Sequence, residues 1–382
     1  MVGIIEEQHP DRARLFMQWK QMDWPILVDS LNLFQMTAVP VTVLIDERGI
    51  VRKIGPNEAD VDAFLEEGRS ESDPSAAVVP PDLEQLRIAA ESGGVDEWRR
   101  FASAVVLWGQ GTDLERGIEA FQRAVALSPE DGETHFRLGV AYRKRYDSAH
   151  RVDGDFAAAV RHWGRALAID PNQYIWRRRI QQYGPRLDKP YSFYDWVNTA
   201  RSEIRERGEV PSVLLVEPGG AEFAAPSREF AAVSRRAVDP DPEGRIQRDV
   251  EGFVSVETTV VPSQARPGQP VRIHLVFRPN PAIKAHWNNE AADLALWVDP
   301  PEGWRVDGPL HTVANPPEAV DRMPRRIEFE LQCAPNATAG EITIRCHALY
   351  YACEDATGVC VYRRQEIPVR VPVSAEAPRG NP

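Results

Sequence analysis

The stretch Tyr350-Tyr351-Ala352-Cys353-Glu354-Asp355-Ala356-Thr357-Gly358-Val359-Cys360-Val361-Tyr362 decides how the chain is read. One strand-like run leads into it and another leads out. Between them two cysteines stand seven positions apart around a polar turn that contains a glycine. A loop of that length can fold back and bring the sulfurs to bonding distance, because a disulfide joins Cα atoms about 4.4–6.8 Å apart. The thiolate is the attacking species in exchange chemistry, so a working pair needs access and a pKa near ambient pH. Glu354 and Asp355 disfavour a thiolate beside Cys353, while Tyr350, Tyr351 and Tyr362 are placed to shield the sulfurs. From the residues alone three readings stay open: a redox-active pair, a structural staple, or two reduced, inert thiols.

Around this stretch the sequence has a period of two. Val254–Val261, Val271–Phe277, Leu294–Val298, Ile327–Cys333, Glu341–Tyr351 and Ile367–Val373 are six candidate strands. Pro267-Gly268, Pro301-Glu302-Gly303 and Asn336–Gly340 punctuate them as turns. Short strands with Pro/Gly turns and no helical pattern predict an antiparallel β-sandwich of immunoglobulin type over residues 250–375, with 376–382 a disordered tail. Alternation puts Cys333 and Cys346 on apolar faces, where they act as small core hydrophobes. A hairpin turning at Asn336–Ala339 sets Cys346 opposite a residue near Glu328, so these two thiols do not meet. A zinc site from Cys346, His347, Cys353 and Cys360 is disfavoured, since Cys346 and His347 point to opposite faces of a strand.

His286-Trp287-Asn288-Asn289, Pro300-Pro301-Glu302-Gly303-Trp304, Gly308-Pro309-Leu310 and the Tyr-Tyr-Ala-Cys…Cys-Val-Tyr stretch together resemble the N-terminal domain of the DsbD thiol:disulfide interchange proteins. That resemblance implies that Cys353 and Cys360 are a redox pair that exchanges electrons with thioredoxin-like or other redox proteins, with Tyr351, Tyr362 and Trp287 in supporting places. The segment around His286–Asn289 is then the candidate for the family's protective cap over the cysteines. The spacing between the two cysteines is one residue longer than the family pattern.

Residues 81–207 are helical and repetitive. Gly117–Pro129 is echoed by Ala159–Pro171, with Leu138-Gly139-Val140-Ala141-Tyr142 between them. These are the small, aromatic and proline positions of the tetratricopeptide repeat (TPR). The two prolines lie 42 residues apart instead of the usual 34 or so, which predicts an insertion in Arg145–Asp155. Asn172–Arg207 is read as a divergent helical cap, and Trp163, Trp176 and Trp196 as core. Such an array serves either as a peptide-binding surface or as a spacer. The basic run Trp176-Arg177-Arg178-Arg179 is read as a solvated or ion-paired helix face.

Residues 1–68 carry Trp24-Pro25-Ile26-Leu27-Val28-Asp29 and then Val39-Pro40-Val41-Thr42-Val43-Leu44-Ile45-Asp46, followed by Gly49-Ile50-Val51. The pattern resembles the second half of a thioredoxin-like fold of the TlpA and redoxin type, with Pro40 at the family's cis-proline position. The cysteine-bearing first half is missing, so the resemblance implies an incomplete sheet with a central gap. A start placed too late in the chain, or completion by another element, are the two expectations that follow.

Residues 69–80 read as a linker and 208–249 as an extended connection, with a possible short strand at Val213–Val216. The fold class expected is therefore multi-domain α+β: a partial thioredoxin-like segment, a TPR-like helical domain and a C-terminal sandwich. A net charge of −12 over 382 residues argues against nucleic acid as partner, and no apolar run is long enough to span a membrane. No phosphate-binding, dinucleotide-binding or serine-nucleophile motif occurs, so no cofactor is expected. The N-terminus lacks a secretory pattern, although the DsbD-like resemblance implies an extracytoplasmic setting. The expected function is thiol–disulfide exchange at Cys353 and Cys360. The rival is a non-enzymatic scaffold that binds proteins and uses its cysteines structurally.

Overall fold

The computed structural model describes residues 2–46, 48–67, 79–186, 196–216, 237–355 and 358–374. Most of the expected linker, part of the connection and the C-terminal tail lie outside them. Within them the chain is mixed α plus β.

The N-terminal segment holds β1 (Gly3–Ile5), α1 (Pro10–Lys20), β2 (Ile26–Val28), β3 (Val43–Ile45), β4 (Val51–Ile54) and α2 (Glu58–Glu66). β1 and β2 pair in parallel, whereas β3 and β4 form a separate antiparallel hairpin. Among the described residues no ladder joins the two pairs, and Val2, Ile4, Leu27, Val41, Ile45 and Ile54 remain exposed. The Val39–Pro40 peptide bond is cis. The α2 helix starts at a reciprocal cap, in which the Asp60 amide donates to Asn57 Oδ1 and the Asn57 amide to Asp60 Oδ2.

The helical region follows as α3 (Leu83–Ser92), α4 (Val95–Trp108), α5 (Leu114–Leu127), α6 (Gly132–Tyr146), α7 (Asp155–Ile169), α8 (Tyr174–Gln181) and α9 (Trp196–Glu206). From α3 to α8 each helix packs on the next. Apolar residues at helical spacing explain why: Leu114, Ile118 and Phe121 of α5 all face inward and are buried. Gly139 fixes the approach of α6 to α7, because a Cβ there would come 2.5 Å from Trp163 Nε1 and 3.1 Å from the Ala159 carbonyl oxygen. Trp163 and Trp176 are core residues, stacked on Tyr183 and Phe136 respectively. Trp196 is only partly buried and instead stacks on Trp19 where α9 meets α1. Residues 147–154 form the turn between α6 and α7, closed by buried Arg145, which holds Asp155 through two hydrogen bonds. No helix of the described residues is long and apolar enough to cross a membrane.

The reading of Trp176–Arg179 as a solvated or ion-paired face holds for exposed Arg177 but not for Trp176 and Arg179. Arg179 is buried and clamps the N-terminal segment, donating to Gln8 Oε1 at 2.8 Å, to the Ser30 carbonyl at 3.1 Å and to the Glu6 carbonyl at 3.3 Å. A guanidinium carries five donors in a fixed fork, so it can satisfy several carbonyls of a loop that has no partner strand. Arg137 of α6 reaches the Leu31 carbonyl in the same way.

The C-terminal region contains β5 (Val254–Val261), β6 (Pro270–Pro279), β7 (Ala285–Asn288), β8 (Leu294–Asp299), β9 (Arg305–Val306), β10 (Leu310–Val313), β11 (Val320–Asp321), β12 (Arg325–Gln332), β13 (Gly340–Glu354) and β14 (Cys360–Val373). One sheet runs β5-β6-β12-β9; the other runs β10-β8-β13-β7-β11, with β14 on the far edge of β13. Both contribute to one core, including Ile273, Phe277, Phe329, Trp287, Leu296, Ala348 and Val369. All six candidate strands are present, but the last two are longer than their apolar runs suggest. Val213–Val216 forms no strand. The expected hairpin between β12 and β13 is also absent: the chain crosses from one sheet to the other between Gln332 and Gly340. Cys333 and Cys346 are nevertheless buried, free thiols in the shared core. Burial, and then the nearby Asp299 charge, push the Cys346 thiol up to about 12, while burial raises Cys333.

The outer face of the four-stranded sheet packs on the helices, so β6 is buried on both sides. His274 Nε2 lies 2.7 Å from the Tyr183 carbonyl oxygen, Arg278 donates to Tyr146 Oη at 3.0 Å, and Glu257 accepts from the Gly154 amide at 3.0 Å. Helices and cysteine-bearing sheet therefore lie on opposite sides of the sandwich core.

Candidate functional site

The site is the tip of the β13–β14 hairpin. Fourteen cross-strand pairs run in unbroken register from Gly340–Val373 to Cys353–Cys360. Beyond them the chain turns, with the Glu354 amide donating to the Val359 carbonyl at 3.0 Å. Gly358 has φ +71°, a left-handed conformation that glycine adopts without a steric cost. Cys353 and Cys360 are joined by a disulfide. Cys353 is buried at 5% relative exposure, whereas Cys360 is exposed.

Strand alternation settles which groups share the sulfurs' face. Ala348, Tyr350 and Ala352 turn into the sandwich core, so Tyr351 and Cys353 point outward. Tyr362, opposite Tyr351, stacks on it with ring centroids 4.2 Å apart and planes 18° apart, one step inward from the disulfide. Burial, followed by the neighbouring Tyr351, raises the Tyr362 hydroxyl above its ordinary range. These two rings stack across the ladder on the same face as the disulfide.

On the other edge of β13, Cys353 pairs with His286 of β7. His286, Cys353 and Cys360 thus form one row across three strands, on one face. His286 Nδ1 lies 3.1 Å from Asp355 Oδ1, at ion-pair distance but off the line of a hydrogen bond, which leaves Nδ1 buried and unpartnered. Arg322, just after β11, pairs with the same carboxylate through Oδ2.

Two sequence expectations fail here. His286–Asn289 does not form a cap loop; Ala285–Asn288 is a strand inside the sheet, held between β13 and β11. Trp287 does not face the cysteines. It pairs with Ala352 on the core side, is fully buried, and donates from Nε1 to the Met323 carbonyl at 2.9 Å. The Arg325 guanidinium lies 4.4 Å from its ring centroid. Its role is to anchor β7. Pro40 stands exposed in the N-terminal segment, before β3. The row that includes His286 was not legible in the sequence, because register between strands about 67 residues apart has no local signal.

Among the described residues no group of three or more His, Cys, Asp or Glu is disposed to hold a metal ion. With Cys353 and Cys360 bonded to each other, neither offers a thiolate to a metal.

No family model matches the chain, and no curated protein matches it. Among solved structures, one described as "AvmM Catalyzes Macrocyclization in Alchivemycin A Biosynthesis" is similar over 35% of this chain and 98% of its own, at 12% identity and a TM-score of 0.21. The sporulation control protein Spo0M from Bacillus subtilis is similar over 33% of this chain and 51% of its own, at 14% identity and a TM-score of 0.16. Likeness at this level carries no argument about fold or activity.

Proposed function

We propose that this chain is a thiol–disulfide exchange protein that works through Cys353 and Cys360 on a thioredoxin-like or similar redox protein. The observation that carries the reading is the asymmetry of the pair, one sulfur buried and the other exposed at the open tip of a hairpin. A staple contributes most where it closes a long loop. Here the separation is seven residues, for which the chain-entropy model gives about 2.5 kcal/mol, and the ladder already brings the ends together.

In the proposed cycle a partner thiolate attacks the exposed Cys360 Sγ. A new intermolecular S–S bond forms as the Cys353–Cys360 bond breaks, and the electron pair leaves on Cys353 Sγ. The partner's second thiolate then attacks its own sulfur in the mixed disulfide and releases Cys360. The partner has lost two electrons and this pair has gained them; the reverse sequence runs the other way.

In this reading the two sheets around one core are an immunoglobulin-type sandwich similar to the DsbD N-terminal domain. The serial packing of α3 to α8 supports a short TPR-like array used as a spacer, and residues 1–68 are a thioredoxin-like segment that carries no cysteine. The function belongs to an oxidising, extracytoplasmic setting. Cys353→Ser or Cys360→Ser should abolish exchange with a thioredoxin-like substrate; full exchange in both variants would refute the proposal.

A further inference from the structure

We propose that His286 is the proton donor to the Cys353 sulfur during this exchange, with Asp355 holding the imidazole in place. The inference rests on the proposed exchange at the pair. Residues directly opposite on an antiparallel ladder carry Cβ atoms about 4.5–5.5 Å apart on the same face. His286 is therefore next to the buried sulfur, on the side away from Cys360, where a leaving thiolate gains charge. A buried thiolate without a proton or partner is costly. The His286 side chain is mostly buried, and its Nδ1 has no hydrogen-bond partner in the disulfide state. The other charged groups around it are Asp355 and Glu354 on the turn, Arg322 and Asp321 at β11, and Lys284 before β7. Cys353 has no other titratable residue directly opposite it, since its second neighbour is Cys360 itself.

The step balances simply. As the attacking thiolate bonds to Cys360 Sγ, the S–S electron pair moves to Cys353 Sγ. The imidazolium proton passes to that sulfur, leaving neutral His286 and a Cys353 thiol. In the reverse direction the neutral imidazole takes the proton as Cys353 Sγ attacks.

The test is the pH dependence of reduction by dithiothreitol, with each rate constant expressed per attacking thiolate. Wild type, His286→Gln and Asp355→Asn are compared, with circular dichroism confirming the fold of each. Wild type should react faster at acid pH and slow as the imidazolium proton is lost. His286→Gln should lose this dependence and fall about a hundredfold on the acid side, the low end of general acid catalysis. Asp355→Asn should shift the profile without removing it. A His286→Gln profile that matches wild type overturns the inference and leaves the exchange reading standing. A folded wild type whose disulfide resists dithiothreitol overturns both. Should His286→Gln fail to fold, the wild-type profile decides: a flat one refutes the role of His286.

Discussion

A pair that cycles must leave the sandwich folded in both states, and this sets a limit on what its removal costs. Consider Cys353→Ala together with Cys360→Ala. The constrained loop spans seven residues, which gives an upper estimate of about 2.5 kcal/mol from unfolded-state entropy. Fourteen ladder pairs close the same loop independently, and the sandwich core does not include the exposed Cys360 side chain. The expected loss is therefore about 1 kcal/mol. For a unit of roughly 120 residues that lowers its own thermal midpoint by about 3–6 °C. Thermal and urea unfolding, followed by far-ultraviolet circular dichroism with and without reductant, would measure it. A loss above about 4 kcal/mol, or a sandwich that unfolds on reduction, would show that the fold depends on the bond and would refute the reasoning.

Other expectations follow from the packing. Gly139→Ala drives a methyl group into Trp163 and the Ala159 carbonyl, and should cost about 1–3 kcal/mol in urea unfolding. Arg179→Met strips three hydrogen bonds from the Gln8, Ser30 and Glu6 region and should destabilise the docked segment by about 3 kcal/mol, read as faster limited proteolysis before residue 68. Burial, and then Asp29, raise the Glu6 carboxyl from 4.5 to about 8. Folding therefore keeps a proton that the unfolded chain releases, so docking is strongest below about pH 4.5 and weakens as pH rises from 4.5 to 8. Hydrogen exchange in β1 and β2 should report that loss, and Glu6→Gln should flatten it.

Much of this was legible locally. The apolar spacing of α5 and α7 and the alternation of β5, β6 and β8 each carry their own signal, because burial of one face dictates the period. The cysteine pair was legible as a possible disulfide. What was hidden depends on distant partners. The polar run Arg363-Arg364-Gln365 hides the continuation of β14, since its charges are met by Gln247, Glu251 and Asp241 far upstream. Arg272 and His274 look like the wet face of β6, but Glu328 and Tyr183 cover them. The outward row of His286, Cys353 and Cys360, and the inward turn of Trp287, follow only from sheet register.

The reduction potential of the Cys353–Cys360 bond, measured by equilibration against glutathione and dithiothreitol buffers, decides most directly whether the pair exchanges. An exchanging pair should titrate above about −300 mV, within reach of thioredoxin-type partners near −270 mV and above. A value well below about −300 mV would mark a structural bond that such partners leave closed, and would contradict the proposed function.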